Sequence, residues 1–322
     1  MDGNTRLISI VIGAHDRKEF LIDAVSSVLS QNYGKDGYEI VVVKNFSDAN
    51  IDGFLSANNV VSILSDAKNL SNKHAVGINH SKGDIICFLD DDDLFEPQKL
   101  KTIRESFDSI TDLSFIHNGM FFSDYGGSII EQMKKFDAIL FDPSDCKPGI
   151  IRKMLQALVT YNCSSMSISG EMARKYAPII DQTSQESDTF WFLAALDFGG
   201  RLLCLPDYLT RYRRHRGGIS RSFEENKISW YAGSALRNMY KMASLFTSQC
   251  ALNFLSFKTT EWKIKRFIFD DDFQNSGFYL FLEVIKFFRM IPARDSAKLF
   301  ILTLTVNISR KFSKYLYTKF YI

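Results

Sequence analysis

Residues 85–93 read Ile-Ile-Cys-Phe-Leu-Asp-Asp-Asp-Asp, an apolar run that ends in four consecutive carboxylates. The apolar part predicts a buried strand, and four like charges at its end repel one another unless a cation neutralises them. Side chains alternate along an extended chain, so Asp90 and Asp92 are expected on one face, with Asp91 and Asp93 on the other. Hard divalent ions prefer oxygen ligands, so the stretch predicts a Mg²⁺ or Mn²⁺ site. The alternative is an acidic turn that only ends the strand and caps the next helix.

The segments on either side of this stretch alternate between strand and helix patterns. Apolar runs predict strands, and amphipathic spacing predicts helices between them. The pair Asp16 and Glu19 has the spacing of a helix capping box. Strands separated by helices predict a parallel sheet, in which ligands bind beyond the carboxyl ends of the strands. Those ends are residues 14–17, 44–47 and 90–93.

The remainder of the chain predicts a two-part organisation. Less regular strands, among them residues 113–116 and 119–122, and helices follow residue 99, and the pattern is helical from about residue 222. We expect a catalytic domain over residues 1–221, with a nucleotide-binding half (1–99) and an acceptor-binding half (100–221). Residues 222–322 are expected to form a helical region rich in basic and aromatic residues.

Composition excludes some classes of protein. The chain has 322 residues, of which 46% are hydrophobic and 24% charged, as in ordinary folded proteins. A net charge of +2 with no zinc-finger spacing argues against a nucleic-acid partner. The five cysteines are scattered without a Cys-x-x-Cys pair, and no secretory leader is evident near Met1. These features predict a protein of the reducing cytoplasm.

Several segments, taken in order, resemble the inverting nucleotide-sugar glycosyltransferases of family 2. Proteins of this family have the GT-A fold, a Rossmann-like mixed α/β sheet with flanking helices, here followed by a helical C-terminal extension. The resemblance covers about residues 7–220. It is carried by residues 11–17 (Val-Ile-Gly-Ala-His-Asp-Arg), 26–31 (Ser-Ser-Val-Leu-Ser-Gln), 38–43 (Tyr-Glu-Ile-Val-Val-Val), 72–84 and 88–93 (Phe-Leu-Asp-Asp-Asp-Asp).

The resemblance implies roles for individual residues. Asp92 is expected to bind the metal directly, with Asp90 near the ribose or the metal's waters. His215 closes a Tyr-Arg-x-His motif and is expected to join the metal; the alternative is an ordinary packed histidine. The residues expected to contact the nucleotide-sugar are Ala14, His15, Asp16, Arg17, Asn45, Lys73, Asp90, Asp91 and Arg213.

One segment departs from the family pattern. Residues 44–47 read Lys-Asn-Phe-Ser where the family usually has Asp-Asp-Gly-Ser. An Asp there normally contacts uracil, and Asn45 offers an amide instead. UDP is still the first expectation for the nucleotide.

Transfer with inversion requires a carboxylate that removes the proton of the acceptor hydroxyl. Residues 185–191 (Gln-Glu-Ser-Asp-Thr-Phe-Trp) resemble the family's Glu-Asp motif with imperfect spacing. We expect Asp188 to be the base, with Glu186 as the second candidate. The alternative is that Ser187 or Asp188 only caps the following helix.

The C-terminal region suggests where the acceptor lies. Between Lys258 and Lys319 there are twelve Lys or Arg against six Asp or Glu, interleaved with aromatics. This composition is typical of a helical segment lying on a membrane surface, although its apolar residues could instead pack on the catalytic domain. Related enzymes extend surface polysaccharides on undecaprenyl diphosphate. The resemblance therefore implies a hexosyltransferase (EC class 2.4) that adds one sugar to such an acceptor in O-antigen or capsule synthesis. The sugar is expected to be a hexose or N-acetylhexosamine, with glucose favoured.

Two other functions remain open from the sequence. A sugar nucleotidyltransferase would need a glycine-rich basic loop after the first strand, where residues 13–17 are Gly-Ala-His-Asp-Arg. A non-catalytic nucleotide-sugar or lipid-binding module is the other alternative. On the first reading, the protein lies on the cytoplasmic face of the inner membrane.

Overall fold

The computed structural model describes residues 6–16, 18–215, 225–272, 277–287, 293–306 and 308–321. The chain divides into two compact units, one of Met1–Ser144 with Ala157–His215 and one of Asp145–Gln156 with Arg216–Ile322. Sequence reasoning assigned Asp145–Gln156 to the acceptor-binding half. It groups instead with the second unit, where a disulfide joins Cys146 to Cys250.

The described part of the first unit contains ten strands and six helices. The strands are β1 (Ile8–Ala14), β2 (Tyr38–Lys44), β3 (Val61–Leu64), β4 (Ile85–Asp90), β5 (Leu94–Phe95), β6 (Leu113–Ser123), β7 (Ile129–Gln132), β8 (Ile139–Phe141), β9 (Met166–Ser169) and β10 (Arg201–Arg213). The helices are α1 (Leu21–Leu29), α2 (Ala49–Ala57), α3 (Leu70–Asn79), α4 (Lys99–Ser109), α6 (Gly170–Ile180) and α7 (Ser187–Phe198).

The strands form one mixed sheet, as the fold-class prediction expected. Its order is β3-β2-β1-β4-β9-β6-β10-β5, with β7 paired to β6 and β8 paired to β10. Strands β1 to β4 are parallel, and β9 joins β4 to β6 by antiparallel pairing with both. Side chains of β1 and β4, such as Ile10 and Cys87, are fully buried. Burial on both faces explains why these strands appear as continuous apolar runs.

Two local predictions were wrong for identifiable reasons. Asp16 does not cap α1, which begins at Leu21 without a side-chain cap; Asp16 has φ of +56° and bonds to Asn45 instead. The predicted strands 113–116 and 119–122 are one strand, β6. The gap between the two predicted strands is at His117 and Asn118, which are polar residues but are fully buried within β6.

The second unit is helical, as predicted for the C-terminal region. Its helices are α5 (Pro148–Gln156), α8 (Glu225–Ala243), α9 (Gln249–Phe269), α10 (Gly277–Phe287), α11 (Ala293–Val306) and α12 (Arg310–Tyr321). Within the described ranges, no helix has both the length and the apolar content needed to cross a membrane.

The Cys146–Cys250 disulfide was not foreseen. The two cysteines are 104 residues apart, so only the fold reveals their pairing. Cys87, Cys163 and Cys204 are buried and free. Disulfides persist mainly in oxidising compartments, so this pairing is at odds with the reducing environment that the cysteine spacing favours.

Two buried histidines make the fold sensitive to acid. Burial lowers the pKa of His74 to about 3 and that of His117 to about 4. The unfolded chain therefore takes up protons below about pH 6.5 that the folded chain does not, and stability is lost as the pH falls towards the folded pKa values. We expect the free energy of unfolding, measured by urea denaturation, to drop between about pH 7 and about pH 5, by up to about 1.4 kcal/mol per pH unit for each histidine.

A pair of variants isolates this effect. His117→Gln keeps a donor for the Tyr161 carbonyl, which His117 Nε2 contacts at 3.1 Å, and should flatten the pH dependence. His80→Gln alters an exposed histidine and should leave the pH dependence of stability unchanged. Equal pH dependence in the wild type and His117→Gln would contradict the assignment.

Candidate active site

The four aspartates do not continue the alternation of β4. The strand ends at Asp90, and the Asp93 N–H donates to the Asp90 carbonyl at 3.2 Å, which closes a turn. In this turn Asp90, Asp92 and Asp93 each offer a carboxylate oxygen, and these oxygens lie within 4.8 Å of one another. The predicted pairing of Asp91 with Asp93 on an opposite face was therefore wrong, because a turn replaces the extended backbone.

The three grouped carboxylates suit a hard divalent cation. Burial raises the pKa of Asp93 well above its usual range, and the neighbouring Asp92 and Asp90 raise it further. Among the described residues, Asp93 Oδ2 is buried without a hydrogen-bond partner. A cation would compensate both the repulsion and the lost solvation. The donor set therefore fits Mg²⁺ or Mn²⁺ through oxygen ligands.

His215 lies beside this carboxylate group. Its Nε2 is 2.9 Å from Asp92 Oδ2, and the two side chains are 5% and 14% exposed. The Phe20 ring packs against the imidazole with centroids 5.2 Å apart. Two predicted metal ligands, separated by more than a hundred residues in sequence, are thus in contact.

Arg213 holds this arrangement from inside the protein. Its N–H donates to Asp93 Oδ1 at 2.9 Å. Its guanidinium lies over the Phe20 ring at 4.3 Å and donates to the Tyr125 carbonyl at 2.9 Å. Only 4% of the residue is exposed. Through these contacts Arg213 supports the acidic turn, and its contact with the nucleotide-sugar stays a prediction.

A buried hydrogen-bond network around Lys99 supports the acidic turn. The Asp90 N–H donates to Ser164 Oγ at 2.9 Å. Lys99 Nζ donates to the Ser164 carbonyl at 2.6 Å, to Asn118 Oδ1 at 2.9 Å and to Thr210 Oγ1 at 3.0 Å. Burial lowers the pKa of Lys99 to about 7.

Sequence reasoning missed this network, although one signal was present. Lys99 precedes Ile103 by four residues and therefore lies on the buried face of α4. A lysine at such a position requires polar partners in the core. Ser164 carries no comparable signal, because its role depends on the three-dimensional path of residues 162–165.

The predicted nucleotide-binding residues also converge. The Asp16 N–H donates to Asn45 Oδ1 at 2.9 Å, and Asn45 Nδ2 donates back to Asp16 Oδ1 at 2.7 Å. The His15 N–H donates to Asp91 Oδ2 at 3.3 Å, and His15 Nδ1 lies 2.8 Å from Lys73 Nζ. Asp91 therefore connects the loop after β1 to the end of β4.

Two further residues, Ala14 and Arg17, were predicted to contact the nucleotide-sugar. Ala14 ends β1 and is buried, so its backbone and not its side chain borders the loop. Arg17 lies outside the described residues.

A pocket of about 860 Å³ opens beside this network. His15 and Asn45 line it together with residues 63–68, and the latter were not predicted. The signal was available, since Ser65 to Lys68 follow the carboxyl end of β3, where ligands bind in such sheets. The departure at residue 44 is structural: Lys44 is buried and its Nζ is 2.9 Å from Asp52 Oδ1.

Glu186 and Asp188 stand at the start of α7. Glu186 has φ of +64°, and α7 has no side-chain cap from it. Asp188 Oδ1 accepts the Thr189 N–H at 2.7 Å, and Glu186 Oε2 accepts the Thr189 hydroxyl at 3.1 Å. The predicted alternative, a cap by Ser187 or Asp188, is not formed in that way, because the helix already begins at Ser187.

Cys163 connects the two acidic parts of the site. Burial raises the pKa of its thiol well above the usual range, and the carboxylates of Asp90, Asp188, Asp93 and Glu186 raise it further. One thiol thus experiences both the turn after β4 and the start of α7. Both groups of carboxylates therefore act electrostatically on one buried thiol.

An aromatic stack fixes α7 against β4. The Trp191 ring stacks on Phe88 with centroids 5.0 Å apart, and its Nε1–H donates to His74 Nδ1 at 3.2 Å. The hydroxyls of Ser187 and Ser71 are 2.8 Å apart. These contacts set where Glu186 and Asp188 stand relative to the acidic turn.

Comparison with known proteins agrees with this geometry. The chain is similar to S. aureus TarS 1-349, with a TM-score of 0.59 and 13% identity over 96% of this chain and 89% of that chain. A structure of S. aureus TarS 1-349 in complex with UDP-GlcNAc has a TM-score of 0.61 at 14% identity, with the same coverage. The GT-A fold prediction is confirmed.

Sequence comparison gives two further findings. An uncharacterized glycosyltransferase of Haemophilus influenzae is 25% identical over 114 residues, which are 35% of this chain; the match spans only 38% of that relative's length. The model of "Glycosyl transferase family 2" matches residues 9–168, a range that includes the acidic turn and Ser164. The family 2 model thus matches just under half of the chain, from β1 to β9.

Proposed function

We propose that the protein is a metal-dependent inverting glycosyltransferase that moves one hexose or N-acetylhexosamine from a UDP-sugar to a saccharide acceptor. The observation that carries the proposal is the group formed by Asp90, Asp92 and Asp93, which lie in the range that the family 2 model matches, together with His215, which contacts Asp92. Glucose is our first choice of sugar. The complexes of TarS with UDP-GlcNAc and with UDP support a uridine nucleotide.

The proposed reaction uses the two acidic parts of the site in opposite roles. The Asp188 carboxylate accepts the proton of the acceptor hydroxyl as the hydroxyl oxygen bonds to the anomeric carbon of the donor sugar. The bond from that carbon to the diphosphate oxygen breaks on the opposite face, and the electron pair leaves with the nucleotide. An α-linked donor therefore gives a β-linked product. A divalent cation held by the acidic turn would neutralise the charge that develops on the diphosphate.

The remaining residues bind and orient the donor. The pocket beside His15 and Asn45 is the proposed place of the nucleoside, since it adjoins the acidic turn through Asp91. Arg213, Ser164 and Lys99 hold the carboxylates in place without a direct part in the chemistry.

We further propose that the acceptor is a saccharide on undecaprenyl diphosphate in O-antigen or capsule synthesis, used at the inner face of the cell membrane. The basic and aromatic composition of the C-terminal region supports this.

Product analysis tests the function directly. Purified protein should release UDP from a UDP-sugar only when Mn²⁺ or Mg²⁺ and a synthetic GlcNAc-diphosphate-lipid are both present, and it should yield a β-linked disaccharide. Release of pyrophosphate from UTP and a sugar 1-phosphate would instead indicate a nucleotidyltransferase. Donor binding without any release would indicate a binding module.

The choice of base has its own test. Asp188→Asn should lower kcat by about 10²- to 10⁴-fold, because the acceptor hydroxyl loses its proton acceptor, while KM for the donor changes little. Glu171→Gln, an exposed acid on α6, is the matched control and should retain full activity. Near-normal kcat in Asp188→Asn together with loss in Glu186→Gln would show that Glu186 is the base.

A further inference from the structure

Helices α10, α11 and α12 present apolar side chains outward. They pack on α9 with one face, which buries residues such as Leu280 and Leu302. Their other faces expose large apolar and aromatic side chains, of which Phe278 is 62% exposed. We call this set the outer surface and define it by Phe278, Leu282, Ile285, Ile301, Phe312 and Tyr315.

The spacing of these residues shows that the exposure is organised by helix. Phe278, Leu282 and Ile285 stand at i, i+4 and i+7 of α10, so they share one face. An exposed apolar helix face of this kind marks a surface that binds something.

The surroundings of the outer surface are strongly basic. Residues 277–322 carry eight Lys or Arg against two Asp or Glu. Lys311 and Lys319 are exposed and stand four residues before and after Tyr315, on its face of α12. Lys319 Nζ lies 5.8 Å from the Tyr315 ring centroid. Exposed lysines therefore border the apolar residues.

We propose that the outer surface docks on an anionic lipid bilayer, with α10 to α12 lying in the headgroup region. Apolar side chains would enter the acyl boundary, and the lysines would contact lipid phosphates. A second copy of the chain is a poor occupant, because two surfaces of the same strong positive charge repel each other. The proposal deepens the proposed function by naming the surface that would bring the enzyme to a lipid-linked acceptor.

Vesicle flotation tests the docking. The protein should float with phosphatidylcholine vesicles that contain phosphatidylglycerol, and much less with phosphatidylcholine alone. Lys311→Gln with Lys319→Gln should weaken the partition by about 30-fold, and added salt should weaken that of the wild type. Lys134→Gln with Lys135→Gln removes two exposed lysines of the first unit and should have no effect.

A second pair of variants tests the apolar part. Leu282→Ser with Ile285→Ser should lower partition at least about tenfold. Ile129→Ser with Ile130→Ser, at exposed positions of β7, is the matched control. Circular dichroism and thermal unfolding identify any variant that fails to fold, and in that case the lysine variants decide the test.

Three outcomes separate docking from the proposed function. UDP release with a short, water-soluble acceptor should be unchanged in the outer-surface variants, because this reaction depends only on the active site. Equal flotation of all variants would overturn the docking proposal while leaving transfer intact. A dimer in light scattering that the Leu282→Ser and Ile285→Ser changes abolish would also overturn it, because the surface would then join two copies.

Discussion

Asp92→Asn is expected to reduce glycosyl transfer by on the order of 10³-fold in kcat/KM, close to complete loss in an ordinary assay. The substitution removes one negative charge from the acidic turn and replaces the carboxylate that His215 contacts at 2.9 Å. Both changes weaken the hold on a divalent cation. Initial rates measure the loss of transfer, and Mn²⁺ titration by calorimetry measures the loss of metal affinity.

Two matched variants sharpen this prediction. Asp91→Asn should leave Mn²⁺ affinity close to that of the wild type and raise KM for the donor, since Asp91 accepts the His15 N–H and stands apart from the grouped carboxylates. Asp137→Asn, at an exposed position, should change neither quantity. If Asp91→Asn lost Mn²⁺ binding and Asp92→Asn kept it, our assignment of the ligands would be wrong.

Lys99→Met is expected to cost on the order of 3 kcal/mol of folding free energy and to weaken Mn²⁺ binding as well. Removing the ammonium leaves the Ser164 carbonyl and Asn118 Oδ1 buried without their charged donor. Since Ser164 Oγ also accepts the Asp90 N–H, its displacement would move the acidic turn. Urea unfolding measures the first effect, and calorimetry on protein held well below its unfolding temperature measures the second.

The same helix supplies the control. Lys101→Met removes an exposed lysine two residues further along α4 and should alter neither stability nor Mn²⁺ binding by a measurable amount. A destabilised Lys99→Met that bound Mn²⁺ as tightly as the wild type would show that Lys99 supports the fold alone and does not position the carboxylates.

The parallel half of the sheet was predictable because β1, β2 and β4 are largely buried on both faces and a helix separates each strand from the next. That arrangement gave apolar runs with readable ends, and the loops after β1, β2 and β4 do converge. The contact of His215 with Asp92 agrees with the order of motifs, which the resemblance supplied.

Other parts of the site could not be predicted because they depend on turns and long-range contacts. The turn at Asp93 reorganises the carboxylates through one backbone hydrogen bond, which no spacing rule foretells. The packing of the Arg213 guanidinium on Phe20 joins residues almost two hundred positions apart in sequence, and no local pattern predicts it. Ser164 has two important bonds and no sequence signal.

The stack of His74, Phe88 and Trp191 has a consequence for how such an enzyme could change its substrates. It ties the strand that leads to Asp90 to the helix that begins beside Asp188, through side chains that solvent does not reach. In the proposed mechanism, the distance between the metal-binding turn and the base is thus set by the buried interior. On this proposal, loops around the site are free to vary in sequence and to select different sugars, because such changes leave that distance unaltered.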